Sequence, residues 1–140
     1  AIEQLSAAGI PVNVMIGPVI PGLTEHEIPA ILETAKKAGA VSAGYTMLRL
    51  PYGVKDLFQT WLHEHYPDRA EKVLNRIRSI RDGKLNDAEF GSRMRGEGFH
   101  ATQVSQIFDL MRLKFQLTKR VKLSTAHFNA KAREKQMSLF

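Results

Sequence analysis

Residues 12–51 decide the fold, and they read VNVMIGPVIPGLTEHEIPAILETAKKAGAVSAGYTMLRLP. The segment begins with β-branched and apolar side chains that alternate around Asn13 and Met15. A period of two with β-branched residues predicts a strand over residues 12–16. Residues 41–50 predict a second strand, and the two prolines and two glycines of residues 17–22 predict a shaped loop after the first one.

Between the two strands the pattern becomes that of an amphipathic helix. Thr24 begins this helix, and Glu27 three residues later completes a capping box. Gly39 ends it. One apolar stripe runs along the helix and consists of Ile28, Ile31, Leu32 and Ala35. Strand, helix and strand at this spacing form a βαβ unit, which requires a parallel pair with a right-handed crossover.

The segments on either side of this unit are helical. Residues 1–8 predict the end of a helix with Ile2 and Leu5 turned inward, so we expect the chain to be cut from a longer protein. After residue 51 three apolar stripes predict three helices, with Trp61 and the phenylalanines in the core. The stripes span residues 54–62, 70–80 and 104–115, and residues 86–98 form an irregular connection.

A two-stranded parallel pair cannot cover itself, because parallel strands normally lie deep in a larger sheet. Two arrangements satisfy this requirement. Either the later helices fold over the pair, or the chain is the end of an α/β barrel whose other strands are absent.

Composition excludes several classes of protein. The chain has 140 residues, of which 44% are hydrophobic and 24% charged, and this argues against global disorder. It contains no cysteine, which rules out disulfides, thiolate metal sites and a cysteine nucleophile within these residues. No apolar run approaches the ~20 residues of a membrane span, and no targeting signal is found. We therefore expect a cytoplasmic protein without a membrane partner.

Basic residues concentrate at the end of the chain. The formal net charge is +6, yet residues 112–140 alone carry eight basic residues against Glu134. Such a tail attracts phosphate backbones, and Lys119, Arg120 and Lys122 are its candidate contacts. The alternative is a solvated tail that keeps the protein in solution.

Two further arginines lie between glycines in the irregular connection. Arg93 and Arg95 can present their guanidinium groups to phosphate, which makes them candidate nucleic-acid contacts. A solvated loop is the competing interpretation.

The loop after the first strand is a candidate ligand site. Ligands of α/β folds lie at the carboxyl ends of parallel strands. Gly22 permits close backbone approach, and free amides at the helix start near Thr24 favour an anion. Arg49, at the end of the second strand, lies near the same edge. The alternatives are a tight turn without a ligand and an arginine that pairs with a carboxylate.

Four segments together resemble the radical S-adenosylmethionine (radical SAM) superfamily, in the branch labelled DNA repair photolyase or spore photoproduct lyase-like. They are Ala-Gly-Ile-Pro-Val (8–12), Pro-Val-Ile-Pro-Gly-Leu-Thr-Glu-His-Glu-Ile (18–28), Leu-Arg-Leu-Pro (48–51) and Phe-Gly-Ser-Arg-Met-Arg-Gly (90–96). The resemblance extends over nearly the whole chain. It implies an α/β, mainly helical fold: a βαβ remnant of a partial (β/α) barrel (1–51), a helical extension (52–117) and a basic, mobile tail (118–140).

The resemblance also implies cofactors and site residues. Family members hold a 4Fe–4S cluster on a Cys-x-x-x-Cys-x-x-Cys motif and cleave S-adenosylmethionine to a 5′-deoxyadenosyl radical. Their Gly-x-Ile-x-Gly-x-x-Glu loop packs on the adenine; Ile20, Gly22 and Glu25 match it here, while Pro18 replaces the first glycine. Leu48 and Arg49 would face the same pocket. Without cysteines, this chain would be the inactive C-terminal part, and the N-terminal remainder of the parent would be its partner.

The last residues resemble a second known pattern. Gln136-Met137-Ser138-Leu139-Phe140 is similar to the Gln-Leu-Ser-Leu-Phe peptide with which bacterial DNA-processing proteins dock on the replication sliding clamp. The resemblance implies Gln136, Ser138, Leu139 and Phe140 as partner-binding residues. Two hypotheses follow: part of a radical SAM enzyme acting on nucleic acid, or a module that binds DNA or the sliding clamp. A scaffold fragment without a function of its own is the third.

Overall fold

The structure is a computed structural model that describes residues 1–122 and 124–126. It is a mixed α/β fold in which helices make up about half of the chain. The elements are α1 (Ile2–Ala7), β1 (Asn13–Val19), α2 (Ile28–Lys37), β2 (Ser42–Met47), α3 (Val54–His65), α4 (Ala70–Ser79) and α5 (Gly98–Lys114).

Strands β1 and β2 form a parallel two-stranded sheet, which confirms the predicted βαβ unit. Asn13 pairs with Ser42, but the register shifts between Ile16 and Val19. The first strand is therefore longer than predicted, because the chain continues through Gly17 and Pro18 as an irregular stretch of strand instead of leaving the sheet. A bulge accommodates a proline, which has no amide hydrogen to give to the ladder.

The predicted capping box is wrong. A 3₁₀ turn, Glu25–Glu27, precedes α2, and neither Thr24 nor Glu27 caps the helix through its side chain. The Thr24 hydroxyl instead accepts a hydrogen bond from the Ile20 amide at 2.9 Å. Local hydrogen bonding of this kind competes with helix capping, so the threonine shapes the loop and not the helix.

Two hydrophobic cores hold the elements together. The larger core lies where α2 and α5 cover the sheet, and in it the Tyr45 and Phe108 rings are 4.6 Å apart. The smaller core joins α3 and α4 to the strand ends. The apolar stripe of α4 is buried throughout, as the sequence predicts, and consists of Ala70, Val73, Leu74, Ile77 and Ile80.

Several side chains predicted to be in the core are exposed. Leu5, Val54, Leu57 and Ile107 each have two-fifths or more of their surface exposed. Among the aromatic residues, Trp61, Phe90 and Phe99 are also exposed. The main helix contact of α3 is with α4, so its apolar stripe is wider than the surface that covers it.

The start of the predicted mobile tail is held against the sheet. The Ala43 amide donates to the Leu117 carbonyl at 3.2 Å, and the Lys119 amide donates to the Val41 carbonyl at 3.1 Å. Residues 117–119 thus cover part of the outer edge of β2, and the predicted boundary at residue 118 stays a prediction. In the part of the chain that the structure describes, no helix has both the length and the apolar character needed to cross a membrane.

Candidate functional site

The carboxyl ends of β1 and β2 lie side by side and carry the predicted ligand-site residues. The Leu48 amide donates to the Val19 carbonyl at 2.9 Å, so the segments that follow the two strands leave the sheet together. This contact brings Ile20, in the first segment, near Leu48 and Arg49, in the second. Ile20 and Arg49 are half-buried, whereas Leu48 is buried.

The loop that begins at Ile20 bonds the amides of Ile20, Gly22, Leu23 and Thr24 within itself. Gly22 has a φ of 79°, in the left-handed region that glycine adopts readily. The amides of Leu23 and Thr24 both donate to the Ile20 carbonyl at 3.0 Å. The Gly22 amide donates to Glu25 Oε2 at 2.6 Å. The loop thus uses the amides of Gly22, Leu23 and Thr24 internally, and the predicted anion contact at the helix start stays a prediction.

Glu25 joins this loop to α4. Its Oε1 lies 2.9 Å from Arg76 Nη1 in a partly buried ion pair. The stem of Arg76 also lies over Gly22, where a Cβ carbon added to the glycine would be 3.2 Å from the arginine Cδ atom. Both carboxylate oxygens of Glu25 are thus engaged within the chain, and its predicted contact with a cofactor stays a prediction.

Arg81 is the central polar residue of the edge, and no sequence motif predicts its role. Its side chain is 1% exposed. The guanidinium donates to the Leu48 carbonyl at 3.0 Å and to the Ser92 carbonyl at 3.1 Å. Burial lowers the pKa of Arg81, and the positive charge of Arg49 lowers it further, while Asp87 opposes both effects. Its position directly after the buried stripe of α4 is the one signal in the sequence that could have indicated it.

Asp87 provides the counter-charge to Arg81. Its Oδ2 lies 3.7 Å from Arg81 Nη1, and its carboxylate accepts hydrogen bonds from the Ser92 hydroxyl and the Glu89 amide. These hydrogen bonds, the Ser92 hydroxyl first, hold the pKa of Asp87 below its ordinary value, with smaller contributions from Arg81 and Lys84. The irregular connection is therefore fixed to the strand ends.

Arg49 has spare hydrogen-bonding capacity. Its Nε atom is buried and has no hydrogen-bond partner among the residues described. Its Nη1 atom lies 4.0 Å from the Met94 sulfur, a weak contact. No carboxylate pairs with Arg49 in the described ranges, so the alternative of a structural ion pair finds no support there. Arg49 is the candidate donor to an anionic ligand at this edge.

The predicted nucleic-acid contacts occupy separate places. The Arg95 guanidinium lies 4.3 Å above the Tyr45 ring and lines a cavity of about 460 Å³ beside the outer edge of β2. The Arg93 guanidinium lies 5.2 Å from the exposed Phe90 ring. The connection that carries both arginines contacts the carboxyl end of β2, where the Met47 amide donates to the Met94 carbonyl at 2.9 Å.

The basic residues of the tail lie at the other end of the same strand. Lys119 contacts Val41, directly before β2, and Arg120 and Lys122 follow as exposed residues. At ~3.3 Å per residue, Val41 is about 13 Å from Tyr45, on which Arg95 lies, and about 20 Å from Met47, which bonds Met94. The structure therefore does not join them into one patch, and Gln136, Ser138, Leu139 and Phe140 lie outside the described residues.

Neither a metal-binding cluster among the described residues nor a similar known protein helps to identify this site. The described residues contain no cluster of three or more histidine, aspartate or glutamate side chains placed to hold a metal ion. No protein family, curated protein or solved structure matches the chain. Its candidate site thus stands on its own geometry: two parallel strand ends, a self-bonded glycine loop, a buried arginine and a second arginine with free donors.

Proposed function

We propose that the chain is the C-terminal portion of a radical SAM enzyme of the DNA repair photolyase or spore photoproduct lyase-like branch, acting on nucleic acid. In this proposal β1 and β2 are the last strands of a partial (β/α) barrel. The chain is inactive alone, since it has no cysteine to hold the 4Fe–4S cluster. The parent protein's N-terminal remainder is then its first partner.

The observation that carries the proposal is the isolated parallel pair. Parallel strands are normally covered on both faces and flanked by further strands. Here β2 is covered on its outer edge by residues 94 and 117–119, whereas among the described residues β1 pairs only with β2. Beside β1, an apolar groove of about 600 Å³ runs between α1 and α2 and is lined by Ile2, Val14 and Ile31. A further β/α unit of the barrel would cover this edge and this groove.

The strand ends fit S-adenosylmethionine only in part. Ile20 offers half-buried apolar surface for an adenine, and Arg49 offers an unpartnered donor for a carboxylate. Gly22, Glu25 and Leu48 already make internal contacts, so they would shape the pocket. The cluster does not fit this chain; bound to the rest of the parent, it would supply the electron that cleaves the cofactor.

The test uses the full-length parent, reconstituted anaerobically with iron and sulfide. The proposal predicts about four iron atoms per chain, the content of one 4Fe–4S cluster. It also predicts that Arg49→Gln raises the KM for S-adenosylmethionine about tenfold, because a hydrogen bond to a charged group is lost. Arg78→Gln, at a half-buried arginine of α4 that donates to Asn75 Oδ1, is the matched control and should leave KM unchanged. A parent without bound iron would contradict the proposal.

The second candidate is a module that binds DNA or the bacterial sliding clamp. The observation that favours it is the separate position of the exposed residues Lys119, Arg120 and Lys122, away from the strand ends. Deletion of residues 136–140 should abolish clamp binding, and truncation before Lys119 should weaken salt-dependent DNA binding. Equal binding by the intact and shortened chains would exclude this candidate.

A further inference from the structure

Two aromatic rings stand out from the surface at the carboxyl ends of the strands. Tyr52 is 96% exposed and Phe90 is 90% exposed, the two largest values among the large hydrophobic residues described. Scattered exposed apolar side chains are normal on protein surfaces. Almost complete exposure of two aromatic rings, both on segments that contact one strand, is a more specific feature.

Hydrogen bonds place both rings on the same end of the molecule. The Leu50 amide donates to Asn86 Oδ1 at 3.1 Å, which ties the segment after β2 to the irregular connection. The connection also holds the end of β2 through the Met94 carbonyl. Tyr52 follows the first contact by two residues, and Phe90 lies midway between the two contact points on the connection.

The backbone around each ring favours its outward position. Tyr52 has a φ of 47°, in the left-handed region that a residue with a Cβ atom adopts at a cost. Phe90 is flanked by Glu89 and Ser92, whose amide and hydroxyl both donate to Asp87. These contacts fix the connection on both sides of Phe90 while its ring remains outside the core.

Charge near the rings is balanced, so stacking has to supply most of the binding. Within four residues of the two rings, three basic and three acidic side chains balance: Arg49, Lys55 and Arg93 against Asp56, Asp87 and Glu89. Arg93 lies over the Phe90 ring, and an arginine in this position can contact a phosphate while the ring stacks on a base. Unpaired bases have flat apolar faces joined by anionic links, which matches rings with a cation beside them.

We propose that Tyr52, Phe90 and Arg93, here called the aromatic edge, bind single-stranded or extruded nucleotides of the nucleic-acid substrate. The inference rests on the proposed function, because it names the substrate class of the same strand-end site. Each ring stacks on a base, and the Arg93 guanidinium, 5.2 Å from the Phe90 ring, contacts a phosphate beside that base. Binding requires neither cluster nor S-adenosylmethionine, so the 140-residue chain itself shows it.

The test measures fluorescence anisotropy of a labelled 12-nucleotide oligothymidylate. Lys119, Arg120 and Lys122 are first changed to Gln in every protein, so that the basic tail does not dominate binding. In this background Phe90→Ala and Tyr52→Ala should each weaken binding about 5- to 100-fold, the range for loss of one stacked base. Arg93→Gln should reduce the slope of log affinity against log salt by about one. Phe99→Ala, at another phenylalanine that is 72% exposed, is the control. It should bind the oligonucleotide as tightly as the background protein that carries only the three Gln substitutions.

Three results would overturn the inference. The first is unchanged binding by Phe90→Ala and Tyr52→Ala, with circular dichroism showing that both are folded. The second is an equal loss with Phe99→Ala. The third is anionic phosphatidylserine vesicles competing as well as the oligonucleotide, which would assign the rings to lipid. If the rings bind nucleotides but the full-length parent holds no iron, the proposed enzyme is contradicted and the aromatic edge is kept. If the parent holds iron but binding does not depend on the rings, the aromatic edge is contradicted and the proposed enzyme is kept.

Discussion

Arg81 is the residue on which the strand-end site depends most. Its guanidinium joins the Leu48 carbonyl, after β2, to the Ser92 carbonyl and the Asp87 carboxylate, both on the irregular connection. A buried charge is costly without such partners, and removal of one member leaves the others unsatisfied.

Replacement of Arg81 should therefore destabilise the fold strongly. We expect Arg81→Met to lower the free energy of unfolding by about 2–4 kcal/mol, because the buried Leu48 carbonyl, the partly buried Ser92 carbonyl and Asp87 lose their donor. Urea denaturation of the wild type and the variant measures the difference. Arg78→Met, in the last turn of α4, should change it by less than about 0.5 kcal/mol. Equal effects of the two substitutions would show that Arg81 does not hold the site together.

The lowered pKa of Asp87 predicts a specific pH dependence. A carboxyl whose pKa is lower in the folded state stabilises the fold above its unfolded pKa, about 3.9, and loses that contribution as the pH falls through the folded value. The difference in urea midpoint between wild type and Asp87→Asn should thus be largest at neutral pH and shrink below about pH 4. Asp82→Asn, at a nearby exposed carboxylate, is the control for the loss of one negative charge. A difference that stays constant down to about pH 2 would contradict this role of Asp87.

Alanine substitutions at Gly22 and Gly83 distinguish the destabilisation caused by a left-handed backbone from that caused by a steric contact with Arg76. Their φ values are 79° and 78°, but a Cβ at Gly22 would be 3.2 Å from Arg76 Cδ, while one at Gly83 would meet nothing within 4 Å. Gly83→Ala should cost about 1 kcal/mol, and Gly22→Ala about 2–3 kcal/mol, because Arg76 must also move. Thermal and urea unfolding measure both. Equal costs would show that Arg76 does not press on the loop.

At the scale of elements, the pattern of the sequence predicts what is periodic and misses what is local. The alternation in β1, the stripe of α2 and the stripe of α4 are confirmed, because burial of an apolar face dominates in each. The capping box failed since Thr24 bonds to Ile20 within its own loop, a choice of partner that periodicity does not encode. The prediction that the whole apolar stripe of α3 is buried was wrong, because the number of neighbours that cover a helix depends on tertiary structure.

For the candidate site, the sequence predicted the location but not the side chains that build it. Its location follows from topology, because the ends of two parallel strands share an edge. Its chemistry does not, since Arg81 reaches the site from the end of α4 and the irregular connection that carries Asp87 and Ser92 has no periodicity.

Helix α5 gives a direct test of the larger core. Phe108 is 2% exposed and packs on Tyr45, while the preceding Ile107 is 43% exposed. We expect Phe108→Ala to lower the free energy of unfolding by about 3–5 kcal/mol through lost burial and the cavity left behind. Ile107→Ala should cost less than about 1 kcal/mol. If the two costs are alike in urea denaturation, α5 does not pack on the sheet as described.

At the scale of the whole molecule, the two proposed functions are assigned to different parts of one strand. The carboxyl end of β2 carries Arg49, the buried Arg81 and the aromatic edge, and the amino end contacts the start of the basic tail. The net charge of +6 therefore does not describe one binding surface. The first proposal places chemistry on a substrate at the strand ends, and the second places contact with a polymer or a partner at the tail.

The most direct test of the central claim is 5′-deoxyadenosine formation by the full-length parent, reconstituted anaerobically and supplied with dithionite and S-adenosylmethionine. We predict that the parent forms this product and that the isolated 140-residue chain forms none. Absence of the product from a parent that holds its iron and its fold would contradict the assignment.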